Sequence, residues 1–266
     1  MPIRLDFGVE AKPMPHPVAA IRPACSDPVT IAERQLLARA LVDIVPLRNG
    51  ALVSGPFDGG THLHLMVEGW AYRAQGLRDG ARQITDILVP GDICDWVPPA
   101  SNEEIRVSGP ARVAVLRRAM DEHDMQALAT RRDCKLVGDI RRLRAQLTCV
   151  GRRDARGRLA YCLADLHSRL KATGLANGDS FSCPLTQEQF SDLLGLTAVH
   201  VNRVIQGLRR EGVLMFGKRQ ITILDPKRLH AIAGWQADED APLPLSFATT
   251  DICRPVCPAP SSPRMG

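Results

Sequence analysis

The segment Thr186–Leu224, TQEQFSDLLGLTAVHVNRVIQGLRREGVLMFGKRQITIL, decides the architecture of the C-terminal third of the chain. Phe190, Leu193 and Leu194 fall on one face of a short helix, and Val201, Val204, Ile205 and Leu208 on one face of a second. Gly195 lies between them, where a helix must stop in a left-handed residue and turn. Thr197 follows as the N-cap of the second helix, and Thr186 stands where it can cap the first. Two short helices across a tight glycine turn form a helix-turn-helix, whose second helix is shaped to enter a DNA major groove. Gly217, Lys218 and Arg219, set between two apolar runs, read as the turn of a basic β-hairpin, the wing.

The outward face of the second helix sharpens this reading. With the core positions removed it carries Ala198, Val199, His200, Asn202, Arg203, Gln206 and Arg209. Asn and Arg are the side chains that can make two hydrogen bonds to one base edge, whereas an ordinary solvated face would carry Glu and Lys pairs. Free N–H groups of a helix capped by Thr186 would point at a phosphate, with Gln187 beside them. The candidate DNA-binding set is therefore Thr186, Gln187, Thr197, Val199, His200, Asn202, Arg203, Gln206, Arg209, Lys218 and Arg219.

These residues carry a family resemblance. Leu185-Thr186-Gln187-Glu188, Leu194-Gly195-Leu196-Thr197, Val201-Asn202-Arg203 and Leu208 before Glu211-Gly212-Val213-Leu214 resemble the DNA-binding half of the cyclic-AMP receptor protein/FNR family of bacterial transcription regulators. Gly69-Trp70-Ala71-Tyr72-Arg73, the stretch Leu77 to Ile84, and Pro90-Gly91-Asp92 resemble that family's sensor β-roll. The resemblance implies an α+β chain. It would combine an N-terminal antiparallel β-roll of the cyclic-nucleotide-binding or jelly-roll kind, a long dimerisation helix, and a C-terminal winged helix-turn-helix. It also implies a homodimer reading a palindrome with half-sites about 10 bp apart. Val199, Ala198 and Asn202 depart from the family's usual base-reading residues, while Arg203 matches. The expected operator is therefore not the family's familiar one. In it Arg203 reads a guanine, Asn202 an adjacent base, Val199 a thymine methyl, and His200 either base or phosphate.

Working outward, residues 1–28 are proline-rich and read as an irregular arm, and Thr30 to Val45 carries helical spacing. Residues 29–118 as a whole form the expected roll, since short alternating segments such as Leu63–Val67 and Gln83–Val89 are broken by Gly and Pro. Residues 119–150 form the expected dimerisation helix, with Leu136, Ile140, Leu143 and Leu147 as a stripe at helical spacing. Residues 151–235 form the winged domain, and 236–266 a disordered tail. At 266 residues there is room for two modest domains, each with its own core. A net charge of +5 and a pI near 8.9 are compatible with a polyanionic partner without requiring one. Between Arg131 and Arg158 there are ten Lys or Arg against three Asp. Of these, Arg152, Arg153, Arg156 and Arg158 are either a solvated face or additional DNA-backbone contacts.

No apolar run is long enough to span a bilayer and no signal peptide is visible, so the expected location is the cytoplasm, away from membranes. No cofactor is expected, and the sequence leaves the effector unidentified. Positions that hold a cyclic nucleotide in relatives fall on Asp95, Trp96, Ser101 and Asn102 here; the Asp95 charge disfavours cyclic AMP, and Arg106 is the nearest candidate replacement cation. Only Cys25 lies where the FNR branch gathers cluster-binding cysteines, so an iron–sulfur cluster is not expected. Cys183, just before Thr186, is a candidate redox thiol whose oxidation would add negative charge beside DNA. RNA polymerase is a candidate partner. A rival reading takes Gly60-Thr61-His62-Leu63-His64 with Glu68, which resembles the first metal motif of cupins. It makes His62, His64 and Glu68 the ligands of a metal-binding sensor or enzyme, with Glu68 beside Gly69 in an expected hairpin turn. No motif for nucleophilic or acid–base catalysis stands out, so the chain is not expected to be an enzyme.

Overall fold

The computed structural model describes residues 37, 39–54, 61–95, 99–118 and 122–236. The expected arm at 1–28, nearly all of the expected tail, Trp96, Cys25, Cys253 and Cys257 lie outside the described residues. The N-terminal half is an antiparallel roll of β1 (Leu41–Leu47), β2 (Leu52–Ser54), β3 (His62–Gly76), β4 (Arg82–Leu88) and β5 (Glu103–Arg117). Its strands run in the order β1-β5-β3-β4, with β2 also on β5. Two sequence expectations change here. Leu41–Leu47 is a strand and not the end of a helix, because it pairs with β5 from Leu41 opposite Leu116 to Leu47 opposite Ala111. Its Val42, Ile44 and Val45 are β-branched and suit that edge.

The second change is at Glu68–Gly69, which is not a hairpin turn. β3 runs through it as one 15-residue strand, bulging against β5 on either side of Glu68. Only glycine fits at the bend. Gly69 has φ +78°, and a Cβ there would lie 2.4 Å from the Pro110 carbonyl oxygen.

β3 does not show clean alternation because it faces several cores. Leu63, Leu65 and Val67 pack with Leu37, Ile93, Ala114 and Leu116, while Met66 and Ala71 pack with Leu88, Ile105, Val107 and Val113. Further along, Trp70, Tyr72 and Ala74 join Ile84, Ile87 and Val89 against the C-terminal half, whose Leu159, Leu163, Leu166, Phe190 and Leu193 belong to the same cluster. The roll thus buries two clusters of its own and shares a third with the winged domain. Each large side chain so buried stabilises the junction by about 1.5–3 kcal/mol.

Helix α1 (Glu122–Arg152) leaves the roll and leads into α2 (Ala155–Ala172), which Asp154 caps by accepting from the Gly157 amide. Then come β6 (Ala176–Asn177), β7 (Ser180–Ser182), α3 (Gln187–Leu194), α4 (Ala198–Arg210), β8 (Leu214–Phe216), β9 (Gln220–Ile223) and α5 (Pro226–Ala233). The small sheet has the order β6-β7-β9-β8. Ion pairs tie α1 and α2 to the roll: Arg142 of α1 with Asp86 at 3.2 Å, and Arg169 of α2 with Asp92 at 2.8 Å. The second pair is buried, and Arg169 also donates to the Ile87 carbonyl. Among the described residues no helix is long and apolar enough to cross a membrane.

Candidate nucleic-acid interface

Both caps and the glycine turn read from the sequence are present, and the first cap is reciprocal. Thr186 accepts from the Gln189 amide at 3.1 Å, and the Gln189 side chain accepts from the Thr186 amide at 2.9 Å, a complete capping box. Gly195 ends α3 in the left-handed region at φ +62°, and its amide donates back to the Ser191 carbonyl. Thr197 caps α4 by accepting from the His200 amide at 3.2 Å. Val201, Ile205 and Leu208 are buried, which fixes the rotation of α4 about its axis.

That rotation turns the remaining positions outward. His200, Arg203, Gln206 and Arg209 are exposed, and Val199 is 72% exposed despite being apolar. An isolated valine left in water at a helix N-terminus suits contact with a thymine methyl in the groove. Asn202 is half-buried and donates to the Gln187 side chain at 3.1 Å, so these two candidates form one unit bridging α3 and α4. Gln206 and Arg209 are also within reach of each other at 3.5 Å. Thr186 and Gln187 are exposed at the start of α3, whose first amide groups point the same way. Lys218 and Arg219 are exposed in the β8–β9 turn, with Arg219 in the left-handed region at φ +60°. The wing is anchored from below, since the Arg219 carbonyl accepts from the Cys183 amide.

The arginines that precede α2 or lie in its first turns are mostly committed inside the protein. Arg153 stacks over the Tyr161 ring, its guanidinium carbon 4.1 Å from the centroid. Arg158 donates to the Leu194 carbonyl at the end of α3. Arg156 forms a two-pronged pair with Glu211, which Arg228 joins at 2.6 Å. The Arg156 hydrogen bond holds the Glu211 carboxyl below its ordinary range. Arg152 alone of the four remains exposed. Cys183 does not fit the candidate redox role. It is only 3% exposed, and burial pushes its thiol up to about 12, the opposite of a reactive redox thiol.

The metal reading does not assemble. The His64 ring and amide both bond Asp95 at 2.8 Å, His62 is exposed beside the Thr61 hydroxyl, and Glu68 pairs with Arg112 at 3.1 Å. Among the described residues no three His, Cys, Asp or Glu side chains are placed to hold an ion. In the roll, Asp95 is buried against His64, Ser101 is exposed, and Asn102 donates to the Gly76 carbonyl. Arg106 is held by Glu104 and the Gly50 carbonyl.

What the sequence reading missed is how α3 is held from outside the helix-turn-helix. Arg82 meets Asp192 at 2.7 Å, Ser108 meets Gln189 at 2.8 Å, and Gln83 and Gln146 reach the Leu193 carbonyl at 3.2 and 3.3 Å. These partners lie far apart in sequence, so no local spacing announces them.

Comparison with known proteins agrees with this geometry. Residues 157–232 match the family model for a Crp-like helix-turn-helix domain. The chain is 32% identical over 191 residues to the transcriptional activator protein FnrL of Cereibacter sphaeroides, covering 68% of this chain and 75% of that one. It is 27% identical over 195 residues to the nitrogen fixation regulation protein FixK of Bradyrhizobium diazoefficiens, covering 71% and 81%. Among solved structures, FixK2 from Bradyrhizobium japonicum superposes with a TM-score of 0.64 at 26% identity, covering 71% of this chain and 96% of that one. The chain therefore belongs to the Crp/Fnr family of bacterial transcription regulators, a family of DNA-binding regulators and not of enzymes.

Proposed function

We propose that this protein is a homodimeric, sequence-specific regulator that reads a palindromic operator through α4, in the cytoplasm where the DNA is. The observation that carries this reading is the outward face of α4. Val199, His200, Arg203, Gln206 and Arg209 stand exposed together beside the exposed first turn of α3, an arrangement suited to base edges and phosphate at once. Arg203 reads guanine, and the Gln187–Asn202 pair lies against an adjacent base and its phosphate. Lys218 and Arg219 follow the backbone with the wing.

Dimerisation runs along α1. Ile140, Leu143 and Leu147 are 48%, 51% and 75% exposed, an apolar stripe that a second copy would cover. Activator names among the relatives make RNA polymerase a partner to test. The roll is the sensor, and a shift between two dimer arrangements along α1 would change the spacing of the two recognition helices.

The test is selection of DNA targets from a random pool with the purified protein and with Arg203→Ala. A two-fold symmetric site is expected. Loss of a bidentate arginine should cost about 1–3 kcal/mol, roughly 5- to 150-fold, per half-site, and relax preference at one base of each half-site. Recovery of no preferred sequence, or a site that Arg203→Ala reads equally well, would refute the assignment.

A further inference from the structure

Helix α3 is gripped at both ends by groups that are not part of the helix-turn-helix. At its N-terminus, the buried Ser108 hydroxyl of β5 donates to Gln189 at 2.8 Å, on the same amide oxygen that completes the capping box with Thr186. At its C-terminus, Arg82 of β4 pairs with Asp192 at 2.7 Å and is braced by the Tyr72 hydroxyl at 3.2 Å. The last carbonyls of a helix have no partner within it. Here the Leu193 carbonyl is satisfied by Gln83 of β4 and Gln146 of α1, and the Leu194 carbonyl by Arg158 of α2. None of these contacts covers the reading face, since Thr186, Gln187, Val199, His200, Arg203, Gln206 and Arg209 all stay exposed.

We propose that Ser108, Arg82 and Gln83 are positioning residues for DNA reading: the sensor sheet holds both ends of α3 and thereby fixes the direction in which α4 is presented. The proposal rests on the DNA-reading assignment above. A dimer reading two half-sites needs both recognition helices at a set separation, and α3 is the arm from which α4 turns at Gly195. With β4 and β5 on that arm, the roll controls the helix-turn-helix directly, in addition to any control passed along α1. A loosened grip leaves each α4 intact but samples more orientations, so the complex gives up preorganisation.

The test compares wild type, Arg82→Glu, Asp192→Arg and the double swap, with Ser108→Ala as a second probe. Each is measured on the selected operator and on operators with the half-site spacing changed by one base pair. Arg82→Glu and Asp192→Arg are each expected to weaken operator binding by about tenfold or more and to flatten the preference for spacing. The half-site sequence selected should be unchanged, and the double swap should recover most of the loss. Ser108→Ala is expected to act in the same direction. A merely stabilising role would lower the melting temperature and leave spacing preference and affinity within twofold; that result overturns the proposal. A double swap that recovers nothing overturns it as well.

Amide hydrogen exchange across 187–194 is read without DNA, so the grip and the DNA assignment can fail separately. If wild type selects no site, the DNA reading has failed. Unchanged exchange in Arg82→Glu overturns the grip in either case.

Discussion

Replacing Leu147 with Ala probes the proposed dimer with little disturbance of the single chain. Leu147 is 75% exposed and lies on the exposed side of α1 with Ile140 and Leu143. Complete burial of a leucine side chain stabilises by about 1.5–3 kcal/mol. About three quarters of that is still available at Leu147, and alanine retains a small part of it. The loss is then about 1–2 kcal/mol per copy, and about 2–4 kcal/mol per dimer because the substitution enters twice. That corresponds to a dimer dissociation constant raised about 30- to 800-fold. Sedimentation equilibrium over a concentration series reads it directly. Unfolding of the isolated protomer should move by no more than about 0.5 kcal/mol, as for other surface changes. Leu143→Ala, at 51% exposed, should act in the same direction and more weakly. A dissociation constant unchanged within threefold in both variants would refute the argument that this stripe is a dimer seam.

Two further outcomes follow from local geometry. Gly195→Ala meets only ordinary contacts, Arg158 and Val150 atoms at 3.7 Å, so its cost is confined to the left-handed backbone at φ +62°. The expected loss is about 1 kcal/mol net, a few degrees in melting temperature, with Gly195→Asn losing less because asparagine tolerates that conformation; equal or raised melting of Gly195→Ala would contradict the left-handed turn. Cys183, with its thiol pushed up to about 12 by burial, should resist iodoacetamide in the native protein and label only on unfolding. Because the folded value is the raised one, its contribution to stability is complete below the unfolded thiol value of about 8.5 and is lost as pH rises through the folded value. Rapid native labelling mapped by mass spectrometry would overturn the buried placement.

The DNA-facing half was legible from sequence because its signals are local. Gly195 ends a helix in a left-handed turn and Thr186 and Thr197 cap the next elements within three or four residues. Val201, Ile205 and Leu208 orient α4 by helical spacing. Turn chemistry and helical period act over one or two turns, so a single sequence displays them. Leu41–Val45 has helical spacing yet is strand, because its partner, β5, begins more than fifty residues later. The arginines before and within α2 looked alike in a charge count, yet Arg153 lies on Tyr161, Arg156 on Glu211 and Arg158 on the Leu194 carbonyl. His62, His64 and Glu68 match a ligand spacing, but Asp95 and Arg112 are the partners that His64 and Glu68 meet, with the Thr61 hydroxyl beside His62.

By itself, the sequence determined the helix-turn-helix, the wing, the face of α4 that looks outward and the long helix that precedes them. Tertiary structure alone decided that the roll and the winged domain share one core, and that Arg82, Gln83 and Ser108 hold α3. Hydrophobic burial has no direction, and a side-chain hydrogen bond needs two groups that only chain closure brings together. Which surfaces and which partners meet is therefore set by the packing of whole elements and leaves no pattern in the order of residues.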